Sequence, residues 1–322
     1  MWPGPIIESL AVISGLTSHS LLVIGLVFIG LAAATLGIAH VKARYAFLDL
    51  SELSSRIATW WVIVSVLTAA LVMGRAATLV VLAFISYLAL KEYLSIIPTR
   101  KQDRLVLALV YLAIPVQFWL VWTEWYGLFI VFVPVYMFMV LGAAMVMLGQ
   151  TDGFLKASGM LHWGMTSTVY SLGHLAYLLV LMERGGHAEG AALVIALLVV
   201  TELNDVAQYV FGRAFGRHPI VPLVSPNKTW EGFLGGMATT VVVAVGVLSW
   251  LTPWTAGAAI VMGLLLALAG FFGDVTLSAV KRDVGIKDSG TALPGHGGIL
   301  DRVDSLIFTA PLFFHLTRYY YT

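Results

Sequence analysis

One stretch of the chain holds the residue types needed for chemistry on phosphates. It is Ser278–Asp304, reading SAVKRDVGIKDSGTALPGHGGILDRVD. Its 27 residues contain four basic side chains (Lys281, Arg282, Lys287, Arg302), four aspartates (Asp283, Asp288, Asp301, Asp304) and the loop Pro294-Gly295-His296-Gly297-Gly298. Carboxylate oxygens suit a hard divalent cation, cationic side chains suit phosphate, and glycines let backbone N–H groups approach an anion. Just upstream, Asp274 interrupts an apolar run, and at helical spacing it shares a face with Ser278, Lys281 and Arg282. Asp301 and Asp304, three residues apart, can face one centre across a helix turn. Asp274 with Asp301 makes a carboxylate pair suited to Mg²⁺, which takes oxygen ligands and keeps waters or substrate oxygens. The bland alternative is two separate salt bridges, with Arg282 and Arg302. His296, between glycines, reads either as a contact residue or as a solvated histidine.

Two further constellations precede this stretch. In TELNDVAQYVFGRAFGRH, the residues Glu202, Asp205, Tyr209 and Arg213 fall within roughly 80° of one another on a helix, and Asn204 points elsewhere. Ionisable groups inside a membrane helix usually line an aqueous cavity or a substrate path; here the competing reading is an internal acid–Arg213 pair that ends the helix. In Ser225-Pro226-Asn227-Lys228-Thr229, the Ser-Pro step reads as an N-cap and first helical residue. That would place Lys228 and the Thr229 hydroxyl at a helix start, a site for an anion.

These residues sit in a chain built for the bilayer. Of 322 residues, 60% are hydrophobic and 11% charged, and the mean hydropathy is +0.93. The fold class expected is an all-α, polytopic transmembrane helix bundle with about ten spans, each needing roughly 17–25 apolar residues. They fall near Leu21–Val41, Arg56–Met73, Ala76–Leu90, Leu105–Trp122, Trp125–Leu148, Met165–Met182, Ala191–Val210, Phe233–Leu251, Thr255–Val280 and Ser305–Leu316. The last reaches a spanning length if its helix starts near Leu300. With the N-terminus outside, only Arg75, Arg184 and Arg318 of the 18 lysines and arginines lie outside. That bias supports both the span count and a cytoplasmic position for the charged stretch. Residues 1–190 read as scaffold helices and 191–322 as the catalytic region of one integral membrane unit. Met1–Glu8 has no basic residue, so no cleaved signal peptide is predicted. There are no cysteines, which excludes disulfides, thiolate metal sites and cysteine nucleophiles. A net charge of +1 gives nucleic-acid binding no support.

Ser278–Asp304 resembles the signature of the phosphatidate cytidylyltransferase (CDP-diacylglycerol synthase) family. Ser278, Lys281, Arg282, Lys287, Asp288, Gly290, Leu293, Pro294, His296, Gly297, Gly298, Asp301, Arg302 and Asp304 all fit at fixed spacing. Ser225-Pro226 with Lys228-Thr229-Trp230-Glu231-Gly232 resembles a second family block, and Asp205, Tyr209 and Gly212-Arg213 resemble a third. In that third block the family's Asp-Thr-Gly-Ala-Tyr is here Asp205-Val206-Ala207-Gln208-Tyr209, which leaves room for a divergent branch with a different lipid acceptor.

The resemblance implies transfer of CMP from CTP to phosphatidate, giving CDP-diacylglycerol and pyrophosphate, with Mg²⁺ and room for a second cation. It implies metal contacts from Asp274 and Asp301, with Asp304 as a third ligand or behind them. Lys228, Lys281, Arg282 and Arg302 would bind phosphates, His296 and its glycine loop would meet nucleotide or pyrophosphate, and Asp205 would orient a substrate or the second cation. Further substrate contacts are expected from Ser225, Thr229, Tyr209, Arg213, Ser278, Lys287, Asp288, Gly297 and Gly298. Partners would be CTP, a lipid phosphate and membrane lipids, in an integral protein of the bacterial inner membrane facing the cytoplasm; a homodimer is left open. The rivals are a cytidylyltransferase for another polyprenyl or lipid phosphate and an ion-coupled transporter. Against the transporter stand the lack of an inverted repeat and charges gathered at one membrane face rather than the midplane.

Overall fold

The computed structural model describes residues 5–45, 49–99, 104–149, 151–182, 186–290 and 297–322. It is an all-helical membrane bundle. A short helix α1 (Pro5–Ser14) leads into α2 (Ser18–Arg44), whose start is capped by Thr17 accepting from Ser20 N. The two spans that look short in sequence are full helices of 22 residues each, α3 (Ser51–Val72) and α4 (Arg75–Ile96). Next come α5 (Arg104–Trp122), α6 (Tyr126–Val131), a π-helical segment Phe132–Met137 and α7 (Phe138–Met147). A second run, α8 (Phe154–Met165) and α9 (Ser171–Leu181), is likewise joined by a π-helical segment, Thr166–Tyr170. The long α10 (Gly186–Phe215), α11 (Trp230–Leu251) and α12 (Ala256–Asp283) follow. The chain closes with α13 (Leu300–Val303) and α14 (Leu306–Tyr321).

Among the described residues, eight helices are long and apolar enough to cross a membrane. The other two expected spans fall on the α8–α9 run and on α14. At 16 residues α14 alone is short. Asp304 and Ser305, which separate it from α13, keep right-handed helical backbone, so the helical path extends back to Leu300. Only helices or closed barrels satisfy backbone hydrogen bonds in lipid, which is why apolar runs of this length fold this way.

Among the described residues, one pair of strands sits between α10 and α11. Strand β1 (Pro219–Val221) pairs antiparallel with β2 (Ser225–Thr229), Pro219 opposite Thr229 and Val221 opposite Ser225. The expected helix start at Ser225-Pro226 is therefore corrected. Proline fixes φ equally well for an extended strand, and the cap falls four residues later, where Thr229 Oγ1 accepts from Gly232 N at 3.2 Å. Lys228 thus projects from a ribbon rather than from a first helical turn.

The helix α10 packs against α9, α11, α12 and α14, and one buried core runs through both halves of the chain, from Leu90 and Phe129 to Leu197 and Phe314. At one end of the bundle Arg75, at the start of α4, meets Glu124 at 2.6 Å and donates to the Trp122 carbonyl. Near the same α5–α6 turn, the Arg318 guanidinium lies 3.6 Å from the Tyr126 ring centroid. Glu92, near the other end of α4, lies about 25 Å away at 1.5 Å per residue. There the charged residues of the second half collect.

Candidate active site

Four elements converge on a group of carboxylates. Asp205 comes from α10, Asp274 from α12, Asp304 from the break between α13 and α14, and Lys228 from β2. Lys228 Nζ lies 2.5 Å from Asp274 Oδ2 and donates to Gln208 Oε1 at 3.4 Å. Asp274 Oδ1 accepts from Ser278 Oγ at 3.3 Å, one turn along α12. Ser305 joins the other two acids: its Oγ donates to Asp205 Oδ2 and its N–H to Asp304 Oδ1, each at 2.7 Å. All three carboxylates act electrostatically on Lys228. Burial pulls its ammonium down, but Asp274 and Asp205 outweigh burial and hold it above the ordinary lysine range.

Gly273 makes this meeting possible. A Cβ there would lie 2.4 Å from the Asp304 carbonyl oxygen and 3.1 Å from Ser305 Cα, so α12 touches the α13–α14 break backbone to backbone. Gly273→Ala is expected to push the two apart, at about 1–3 kcal/mol of overpacking. A lowered midpoint of thermal inactivation in detergent is the reading that checks it, and an unchanged midpoint would mean the break is free to shift.

Beside this group, Asp301 anchors a loop. Lys281 Nζ donates to its Oδ1 at 2.7 Å, and both side chains are largely buried. Its Oδ2 accepts from Ser289 N at 3.0 Å, Ser289 Oγ at 2.9 Å and Gly298 N at 3.1 Å. Both carboxylate oxygens are thus enclosed by one ammonium and three N–H or O–H donors. Gly297 adopts φ +79°, and a Cβ there would lie 2.8 Å from Asp301 Oδ2. A residue unremarkable in sequence joins this loop: Glu92 of α4 accepts from Ile299 N and Leu300 N at 2.9 and 2.8 Å.

The salt bridges weighed from sequence form differently. Asp274 pairs with Lys228 and Asp301 with Lys281, not with Arg282 and Arg302. The shared helical face brings Lys281 past Asp274 to the loop, because α13 returns there. Arg282 donates to the Val224 and Ile286 carbonyls at 3.3 and 3.1 Å, tying the end of α12 to the ribbon. Arg302 acts electrostatically on Glu202, Asp205 and Asp304, and its Nε is buried without a partner among the described residues.

Other expected residues keep their helical logic. Tyr209 Oη accepts from Arg213 at 2.8 Å, one turn apart on α10. Asn204, on a different side of α10 from that pair, is buried against α11 and accepts from Thr240 Oγ1 at 2.8 Å. Glu231 accepts from Arg217 N and His218 N and pairs with His218 Nδ1 at 2.6 Å, closing the turn into β1. Ser225 is half-buried at the start of β2, while Lys287 and Asp288 are exposed beyond α12. His296 lies outside the described residues.

The donor set bears on a metal. Among the described residues no three His, Cys, Asp or Glu side chains form a ready-made shell. Mg²⁺ does not ask for one, since it binds through one or two carboxylates and completes its octahedron with waters and substrate phosphates. Asp274 and Asp304, with Asp205 near them, supply oxygen donors only and fit that requirement. Both Asp301 oxygens are already engaged by Lys281, Ser289 and Gly298.

Known proteins resemble this chain over different extents. A family model described as "Cytidylyltransferase family" matches residues 54–320. "Uncharacterized protein YnbB" of Escherichia coli (strain K12) is 44% identical over 268 residues, 83% of this chain and 88% of that protein. "Phosphatidate cytidylyltransferase" of Mycobacterium leprae (strain TN) is 42% identical over 125 residues, 38% of this chain and 39% of that protein. The protein of that name in Staphylococcus aureus (strain COL) is 42% identical over 127 residues, 39% of this chain and 48% of that protein. The chain therefore spans less than half the length of either phosphatidate cytidylyltransferase it matches.

Proposed function

This chain belongs to the cytidylyltransferase family, and from that premise we propose that it transfers CMP from CTP to phosphatidate, releasing CDP-diacylglycerol and pyrophosphate. The observation that carries the reading is the meeting of Asp205, Asp274 and Asp304 with Lys228, beside the Lys281–Asp301 pair, at one end of a membrane bundle. An oxygen of the lipid phosphate attacks the α-phosphorus of CTP. The new P–O bond forms as the bond to the β-phosphate oxygen breaks, and pyrophosphate leaves with that electron pair. A phosphate monoester has a second pKa of about 6, so the attacking oxygen is already anionic and needs no strong base. Positioning and charge neutralisation then supply the catalysis.

Each residue has a task in this scheme. Lys228 and Arg302, held among carboxylates, meet phosphate oxygens. Asp301, locked to Lys281, steadies the Gly297–Gly298 backbone for the nucleotide, and His296 would contact nucleotide or pyrophosphate. Arg282, Arg213, Tyr209, Ser225, Thr229, Lys287 and Asp288 line the approach. Asp274 and Asp304 would hold Mg²⁺, with Asp205 serving it or a second cation, and the ion would neutralise charge on the transferring phosphates. The protein would sit in the bacterial inner membrane with this end in the cytoplasm, where CTP meets a lipid headgroup arriving from the leaflet.

A second acceptor has one observation in its favour. Gln208, which stands where the resembled block has a small residue, fills space beside Gly236 and reaches Lys228. A different lipid phosphate, such as a polyprenyl phosphate, fits a site altered at that point. Purified protein with Mg²⁺ and α-labelled CTP separates the readings. Label in the organic phase with phosphatidate supports the first, and label only with polyprenyl phosphate supports the second. Label with neither sinks lipid cytidylyl transfer.

A further inference from the structure

Glu92 belongs to the half of the chain that reads as scaffold, and no chemistry was expected of it. It lies 207 and 208 residues from the two amides it binds. One carboxylate oxygen accepts from Ile299 N at 2.9 Å and the other from Leu300 N at 2.8 Å; Ser289 Oγ also lies 3.4 Å from Oε2. These amides open the last helical segment and have no partner within their own helix. The preceding amide, Gly298 N, is taken by Asp301. Two carboxylates, one from each half of the chain, therefore satisfy three consecutive backbone donors. The glycines around them make room: a Cβ on Gly298 would lie 2.3 Å from Glu92 Oε2, and one on Gly290 3.2 Å from Oε1.

We propose that Glu92 is a positioning residue of the reactive centre. Its carboxylate fixes the Ile299–Leu300 backbone, and through it sets where Asp301 holds Lys281 and the glycine loop. The proposal rests on the cytidylyl-transfer reading for its kinetic consequence, but its structural premise is separately measurable. Neutral Glu92→Gln keeps the shape but offers one acceptor where two donors need one each, and Glu92→Ala offers none.

The test pairs steady-state kinetics with hydrogen exchange on the full-length protein in detergent. Both variants should lower kcat by about 10²-fold, the scale of an ångström's misplacement, while KM for the lipid phosphate stays within about twofold. Amides 299 and 300 should exchange at least about tenfold faster, with the helices of the bundle unchanged. A purely structural role predicts instead less folded protein at an unaltered kcat per folded molecule, and that result would overturn the proposal. Unchanged exchange at 299–300 overturns it as well. Should the wild type transfer no CMP to any lipid phosphate, the functional reading fails by itself, and the exchange data still decide whether Glu92 holds this backbone.

Discussion

Asp301→Asn is expected to lower CMP transfer by at least about 10²-fold. The substitution strips Lys281 of its counter-charge in a largely buried setting and leaves one oxygen to serve donors from Ser289 and Gly298 as well. Breaking a buried pair by removing one partner costs about 3–5 kcal/mol, so the midpoint of thermal inactivation should fall too. The rate must accordingly be expressed per folded molecule. Magnesium titration then discriminates between two jobs for this acid. If Asp301 were chiefly a metal ligand, raising Mg²⁺ would restore much of the rate. Its oxygens are occupied by Lys281 and by the loop, so Mg²⁺ should restore little. Transfer at the wild-type rate would show that neither the ion pair nor the anchor matters.

Lys228→Met is the second large effect, and it has two signs. The ammonium balances three carboxylates, and without it their charge confronts the incoming triphosphate unopposed. Losing one preorganised donor to a developing phosphate charge is worth about 10²–10³ in kcat. The same ammonium sits 2.5 Å from Asp274 Oδ2, on an oxygen that a divalent cation would want. Unit charges 4 Å apart at an effective dielectric of 20 interact by about 4 kcal/mol, so its removal should tighten cation binding by at least about tenfold. The expected outcome is a slower enzyme that reaches half-maximal rate at lower Mg²⁺. A variant that is slower but needs more Mg²⁺ would mean that Lys228 assists the cation rather than competing with it.

Much of the architecture was legible from sequence because each span depends on local composition. Apolar runs of the right length, punctuated by Gly74 or by the Thr123–Glu124 turn, fix helices without reference to anything distant. The Asp205–Tyr209–Arg213 face was legible for the same reason, since helical spacing is a local rule. Partner choice was not. Lys228 is 46 residues from Asp274 by numbering, and its approach depends on a ribbon that the Ser225-Pro226 step disguised as a helix start. Glu92 carried no signal at all. A single acid near the end of an apolar helix looks like a solvated terminus, and only the return of the Gly298–Leu300 backbone gives it two amides to bind. The ribbon is a local hairpin masked by an ambiguous Ser-Pro step, whereas the clasp is set by where a distant segment arrives.

The helix that carries Glu92 is secured at its other end as well. Arg75 grips Glu124 and the Trp122 carbonyl, and Glu92 grips the loop of the candidate site. A rod fastened at both ends acts as a gauge of the distance between its fastenings. When a bilayer thins or thickens, helices answer by tilting, at a cost of fractions of a kcal/mol per ångström. Tilt of α4 would be transmitted directly to the backbone at Ile299 and Leu300. Bilayer thickness and the geometry of the Glu92 clasp are in this way linked through a single helix, fastened at Arg75 and at Glu92.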